Sequence, residues 1–386
     1  MTETPSYKRG LGLFELVSLG VGGTIGSGIF VVPGIAARIA GPASLIAWVI
    51  VAISASSVLV SLAYVSKHFT QNGSFLSMFE SVFGIKLALP IVLLYLISSI
   101  FGVATIASGI GQYMTYFNIS HVIIIEIAIL TCFCLINIIG ISLSGTTENI
   151  LTLIKIIPLV VIAIILLPFV NFTNLVPNTP ISAGALFATV IIVYWPFTGF
   201  EISAIPIEET KDIRIISRAL LIVMAIVVTV YLVLNISLIG SVGYKVLAQS
   251  PAPIATASGL IYKNSGPFIA VIGIVAMLSA LNAYIIGTSR ILQNISMRCS
   301  VPLFRDLSNR GTPVAALISG SFLSGILLLY SNHFDLLATI SVITTLIPYV
   351  FFCVTAWVLN PLQKYRIVSA VGILSTTTIL LMYFIV

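Results

Sequence analysis

The sequence predicts an all-α polytopic membrane protein of about eleven transmembrane helices, with two five-helix halves of opposite orientation and one extra helix. Three observations carry this: the composition, the distribution of basic residues, and two apolar segments that are interrupted. Of 386 residues, 59% are hydrophobic and only 7% charged, with a mean hydropathy of +1.19. A soluble domain carries roughly 25% charged residues. Uncharged stretches repeatedly reach the roughly 20 residues that a helix needs to cross a bilayer, and the short alternating strands of a barrel are missing.

The spans read approximately 13–35, 42–66, 87–117, 121–139, 148–169, 184–206, 215–241, 266–297, 313–331, 335–359 and 366–385. Threaded from a cytoplasmic N-terminus, they leave thirteen of the seventeen basic residues inside, three outside (Arg38, Lys245, Lys263) and Lys155 within a span. That asymmetry obeys the positive-inside rule. The net charge of +6 therefore reports orientation, and the basic residues form no continuous patch for nucleic acid. No cleavable signal peptide is expected, because Lys8 and Arg9 precede a helix that breaks and resumes. Cys132, Cys134, Cys299 and Cys353 have neither a disulfide pattern nor zinc spacing and read as small packing residues. One transmembrane domain, residues 1–386, is expected: repeat one about 13–169, repeat two about 184–359, and an extra helix about 366–385.

The first span holds VSLGVGGTIGSGIFVVPG from Val17 to Gly34, with six glycines and a proline. Lipid cannot hydrogen-bond a broken backbone, so such a break belongs where it lines a cavity. The sixth span, LFATVIIVYWPFTGFEISAIP from Leu186, has the same character around Pro196, Gly199 and Glu201. Two interrupted spans at corresponding places in inverted halves point to a secondary transporter's midplane site. Around Ile25, Gly26, Ser27 and Gly28, unwound backbone and the positive end of the following half-helix suit a substrate carboxylate. Pro196 frees carbonyls around Trp195 to Thr198 that suit a substrate ammonium. Trp195 and Phe197 are expected to cover the substrate.

Glu201 and Lys155 are ionisable groups at membrane depth, where charge is costly and usually functional. A desolvated lysine can exchange a proton near neutral pH, or it can pair with a carbonyl or with Ser279. Glu126, near the outer end of span four, reads as an interhelical hydrogen-bonding group. Glu208, Glu209, Lys211, Asp212, Arg214 and Arg218 read as a solvated cytoplasmic loop. GTIGSG lacks nucleotide-binding spacing, and no HExxH, GxSxG or paired catalytic aspartates occur, so neither an enzyme nor a cofactor is expected.

GTIGSGIFVVPG from Gly23, AGPASLIAW from Ala40, GFEISAIPIEETKD from Gly199, NAYIIGTSRIL from Asn282, VPLF from Val301 and RGTPVAALI from Arg310 resemble, in order, the amino acid–polyamine–organocation transporter superfamily. The resemblance implies the LeuT fold and alternating access around a midplane amino acid site, in the cell membrane. LINIIGIS from Leu135 and TTLIPY from Thr344 are most similar to the arginine/agmatine antiporter branch. That likeness implies that Trp195 covers the substrate, that Tyr95, Glu201 and Tyr349 form an outer gate, and that Tyr284 replaces a tryptophan. Lys155 departs from that branch and resembles the lysine of proton-coupled permeases, which meets a serine matched here by Ser279. Relatives have twelve spans, and the twelfth helps form the interface in dimeric members, so both monomer and homodimer stay open.

The expectation is a proton-coupled amino acid permease, with the substrate side chain near Ser98, Thr105, Tyr284 and Ser341. The alternatives are an exchanger of basic amino acids or polyamines and a non-transporting membrane subunit. Expected partners are a small amino acid or amine, protons and the lipid bilayer.

Overall fold

The first apolar run folds as two helices with a break between them. In a computed structural model that describes residues 12–66, 75–140, 145–177, 180–201, 214–308, 310–360 and 362–385, α1 (Leu13–Thr24) stops and α2 (Ser27–Ala40) resumes. A turn at Gly41, with φ +55, leads into α3 (Ser44–Val65), then α4 (Phe75–Phe83) and α5 (Ile85–Thr115). Next come α6 (Val122–Ile139), α7 (Gly145–Leu166) and α8 (Ala183–Tyr194), which tightens into a 3-10 turn over Trp195–Phe197. After α9 (Arg214–Val242), the short α10 (Tyr244–Gln249) and α11 (Pro253–Ile261) fill one loop before α12 (Ser265–Cys299). The chain continues through α13 (Pro302–Arg305), α14 (Val314–Tyr330), α15 (Phe334–Leu359) and α16 (Gln363–Ile385).

Among the described residues, eight helical stretches are long and apolar enough to cross a membrane, and the first is Leu13–Val65, 53 residues. At 1.5 Å per residue that stretch would measure about 80 Å, against a hydrocarbon core of about 30 Å. It therefore holds two crossings. Two shorter apolar helices, Ala183–Phe197 and Val314–Tyr330, fall within two further expected spans. The acidic and basic cluster at 208–212 lies outside the described residues, as do Lys8, Arg9 and Lys67.

Contacts fix the relative direction of the crossings. The Ser54 hydroxyl meets that of Ser375 at 2.8 Å and Ser61 meets Ser369 at 3.1 Å, so α3 and α16 are antiparallel. Gly102 abuts Tyr284 while Tyr113 abuts Gly273, so α5 and α12 are antiparallel too. Thr152 donates to the Ser18 carbonyl and Lys155 to that of Gly22, both at 2.9 Å, so α7 runs parallel to α1. Every one of these relations fits alternate crossings in chain order. The packing partners also recur in pairs. As α3 packs on α8, α9 packs on α1; α5 meets α6 as α12 meets α14; α1 meets α7 as α8 meets α15.

Between helices the contacts are small residues and hydroxyls, because lipid supplies little hydrophobic force to drive apolar helices together. Asn137 of α6 donates to the Asn282 side chain of α12 at 2.7 Å. Cys134 and Cys353 are buried packing residues, whereas Cys132 and Cys299 are exposed.

The four short helices were read as loops. α4 is too short to cross, but its buried Phe75, Leu76, Met78 and Phe79 form one face. Phe75 meets Tyr95 edge-on at 5.2 Å and Phe352 at 5.1 Å, which clamps α4 beneath α5 and α15. Arg298 at the end of α12 donates to both carboxylate oxygens of Glu80 and holds that carboxyl below the usual range.

The α3–α16 register has a direct check. In a background lacking the four native cysteines, Ser54→Cys with Ser375→Cys is expected to form a disulfide on mild oxidation, identified as a linked peptide by mass spectrometry. Ser61→Cys with Ser375→Cys is expected to stay unlinked.

Candidate functional site

The two breaks lie against each other. A Cβ on Gly28 would stand 2.5 Å from the Pro196 Cα, and one on Gly199 would stand 2.7 Å from the Gly23 carbonyl oxygen. Gly199 also has φ +93, which other residues rarely adopt. Glycine is thus required at both positions because backbone meets backbone. Sequence reading assigned these glycines to unwinding alone.

Two carbonyls at the α1 break find donors outside the usual helical pattern. Ile25 N–H still bonds Val21 O at 2.8 Å, but Gly26 N–H turns back to Thr24 O at 3.0 Å and leaves Gly22 O without its usual helical donor. Lys155, 1% exposed, donates its Nζ to that carbonyl at 2.9 Å. Lys155 therefore meets a carbonyl, while the buried Ser279 hydroxyl makes no hydrogen bond among the described residues. The expected lysine–serine contact is not formed in this conformation.

Tyr231 of α9 was not foreseen. Its hydroxyl lies 3.2 Å from Thr24 O and 3.1 Å from Pro196 O, one carbonyl from each break. With a single proton to donate, it can serve only one of them fully at a time. The only sequence signal was the one tyrosine in a span that also holds Thr229, Asn235 and Ser237.

Ser27 and Gly28 open α2 with no side-chain cap, so the first amides of that helix have no intrahelical partner. The Ser27 hydroxyl accepts from Trp195 Nε1 at 3.2 Å, and the Trp195 ring packs on Tyr284, centroids 5.9 Å apart. Trp195 thus lies over the carboxylate-binding candidate as expected. Phe197 does not. It is wholly buried between Trp48 and Tyr231, with centroids 5.9 and 5.2 Å away, on the scaffold side of the break. The expected ammonium site also narrows, since Trp195 O takes both the N–H and the hydroxyl of Thr198, and Pro196 O faces Tyr231. Thr198 also approaches the Tyr284 hydroxyl at 3.4 Å. The remaining carbonyls are those of Phe197 and Thr198.

Of the expected side-chain contacts, Ser98 and Ser341 interlock: each hydroxyl donates to the other's carbonyl at 2.9 Å, and Thr345 joins Ser98. Thr105 bonds back to Phe101 O at 2.8 Å within α5. Gly102, not foreseen, leaves room for Tyr284 and Trp195.

Tyr95, Glu201 and Tyr349 do come together. Tyr95 donates to one carboxylate oxygen at 2.6 Å; Tyr349 at 2.9 Å and Gly199 N–H at 3.1 Å donate to the other. Their position corrects the expectation of an outer gate. Along α5, Tyr95 precedes Ser98 and Gly102, and along α15 Tyr349 follows Ser341, so the triad lies on the side where α1 begins. For the cytoplasmic N-terminus that the basic residues predict, this is the inner side.

On the other side, a cavity of about 430 Å³ is lined by Ile35, Arg38, Gln112, Glu126, His333 and Phe334, among others. Glu126 is 1% exposed, yet neither carboxylate oxygen accepts a hydrogen bond among the described residues. The interhelical bond expected of it is therefore not made.

In sequence, the chain resembles known transport proteins. The chain is 26% identical over 311 residues to the inner membrane transport protein YbaT of Escherichia coli, covering 78% of this chain and 72% of that protein. It is 24% identical over 324 residues to the branched-chain amino acid permease BcaP of Bacillus subtilis (77% and 69%). It is 25% identical over 337 residues to L-asparagine permease 1 of Mycobacterium tuberculosis (82% and 69%). The amino acid permease family model matches residues 11–386, and this multi-pass membrane protein belongs to that family.

Proposed function

We propose that the chain is a secondary amino acid permease of the cell membrane, proton-coupled and working by alternating access around the two breaks. The observation that carries this is the interlock of α1/α2 with the α8 break, which puts the uncapped start of α2, the Ser27 hydroxyl and the Trp195 ring at one point. The substrate carboxylate binds the amides at Ser27 and Gly28, displacing or sharing the Trp195 contact. The ammonium binds the Phe197 and Thr198 carbonyls. The paired packing relations support an inverted repeat, about 13–169 and about 184–359, in which one set of helices rocks against the other. The thirteen-to-three split of basic residues supports a cytoplasmic N-terminus.

Two devices tie the breaks to the rest. Lys155 holds α7 to the end of α1, and its proton is the bond. A deprotonated amine still has two N–H groups, but it loses its charge and with it the stronger, charge-assisted bond. Glu201 closes the inner side by gathering donors from α5, α15 and its own turn. Protonation removes one acceptor position and loosens that closure.

Uptake into liposomes tests the function. L-[³H]leucine and L-[³H]asparagine are the first probes, chosen because relatives are named for branched-chain amino acids and for L-asparagine. Uptake above protein-free vesicles is expected for an amino acid, with competition by unlabelled amino acids ranking the side chains. A chain that moves none of the twenty under any imposed gradient is a non-transporting subunit.

Accumulation is expected to follow an inward proton gradient and to ignore a sodium gradient at fixed pH and voltage. Lys155→Met, which keeps the length but removes the donor, is expected to lower turnover roughly tenfold, since a charged hydrogen bond contributes about 1.5–3 kcal/mol. Substrate affinity should change much less. Equal losses of affinity and turnover would make the lysine purely structural.

Glu201→Gln offers one acceptor oxygen where the carboxylate offers two, so either Tyr95 loses its acceptor, or Tyr349 and the Gly199 N–H lose theirs together. Turnover is expected to fall about tenfold or more, and its pH dependence between pH 5 and 8 should flatten. Superimposable pH profiles for the two proteins would remove Glu201 from gating and coupling.

A further inference from the structure

The cavity on the far side from the Glu201 triad contains a buried carboxylate, Glu126, whose oxygens accept no hydrogen bond among the described residues. Glu126 of α6 lies against Gly111 of α5, where any Cβ would collide with the carboxylate. The Asn332 amide lies beside it without hydrogen-bonding geometry. Three of the cavity's donors are engaged elsewhere. Gln112 Nε2 donates to Pro251 O at 3.1 Å and the Ser108 hydroxyl to Asn332 O at 3.3 Å. Arg38 pairs with Asp335 at 3.3 Å, and their side chains, 56% and 48% exposed, stand at the open end. A buried carboxylate needs a partner, and here the open direction is the cavity.

A primary ammonium fits that need, because it brings three donors and a compact charge. The volume of about 430 Å³ accommodates a small amino acid. The cavity also leads to the central site. Ile35 in its wall is eight residues along α2 from Ser27, about 12 Å of helix. Between them stands one ring: a Cβ on Gly109 would lie 2.9 Å from Ser27 Cβ and 3.2 Å from Phe334, and Phe334 lines the cavity.

We propose that Glu126 and this cavity form a second docking site, which holds the ammonium group of an amino acid beyond Phe334, with its carboxylate toward Arg38. Only the identification of the ligand as an amino acid in transit rests on the transport reading; capture of an ammonium group at Glu126 does not.

The test uses thermal unfolding of the full chain in detergent, titrated with methylammonium chloride. Potassium chloride and tetramethylammonium chloride at equal ionic strength are the controls. Binding to the folded state raises the melting temperature, and a shift of about 2 °C or more is expected with methylammonium alone. The shift should persist in Trp195→Ala, which alters the central site, vanish in Glu126→Gln and shrink in Glu126→Asp. The aspartate variant decides the matter if the glutamine variant does not fold. No shift in the unaltered protein, an undiminished shift in the Glu126 variants, or equal shifts with potassium or tetramethylammonium would each overturn the proposal. Failure of amino acid uptake with the methylammonium result intact would instead count against the transport reading alone.

Discussion

The structure depends on the direct approach of two broken backbones at the centre of the bundle. Gly28 lies on Pro196 and Gly199 on Gly23, with no side chain between them. An interrupted helix at membrane depth exposes carbonyls and amides that lipid cannot satisfy. The breaks are tolerable because surrounding helices supply donors: Lys155 from α7 for Gly22, and Tyr231 from α9 for Thr24 or Pro196. The unpaired amides at the start of α2 remain, and they define where an anionic group can bind.

Each of these donors ties a break to a neighbouring helix. Tyr231 holds both breaks through one hydroxyl, so separating them exchanges a shared bond for a single one. That is a small free-energy change, on the order of 1 kcal/mol for a neutral hydrogen bond. The Glu201 cluster is a stronger closure, because three donors converge on one carboxylate. The α4 helix reinforces it from outside by packing Phe75 on Tyr95 and on Phe352, three residues beyond Tyr349. Among the described residues, a cavity lies on the side opposite the triad, at Glu126 and Arg38.

The central space is largely filled by aromatic rings. Trp195 and Tyr284 meet over Gly102, and Ser98, Ser341 and Thr345 join α5 to α15 next to them. A ligand reaching Ser27 must shift Trp195, whose indole N–H holds the same hydroxyl. The hydroxyl cluster is already satisfied internally, so it contributes shape more than free hydrogen-bonding capacity.

The sequence by itself determined the class, the apolar spans and the two breaks, since each depends on local properties: apolar length, basic residues in loops, and glycine and proline within a span. The α4 helix escaped because nine residues with one apolar face are too short to register as a crossing. Motif likeness also brought Tyr95, Glu201 and Tyr349 together, but not the side of the bundle on which they meet. That side follows from the direction of α5 and α15 relative to the breaks, which is a property of the whole bundle. The same limit applies to Phe197, whose neighbours Trp48 and Tyr231 come from two other helices, and to Lys155, whose partner was a choice between a carbonyl and Ser279. Helix rotation decides which face of a span meets the site, and an all-round apolar span has no periodic signal to reveal that rotation. Only packing between helices fixed it.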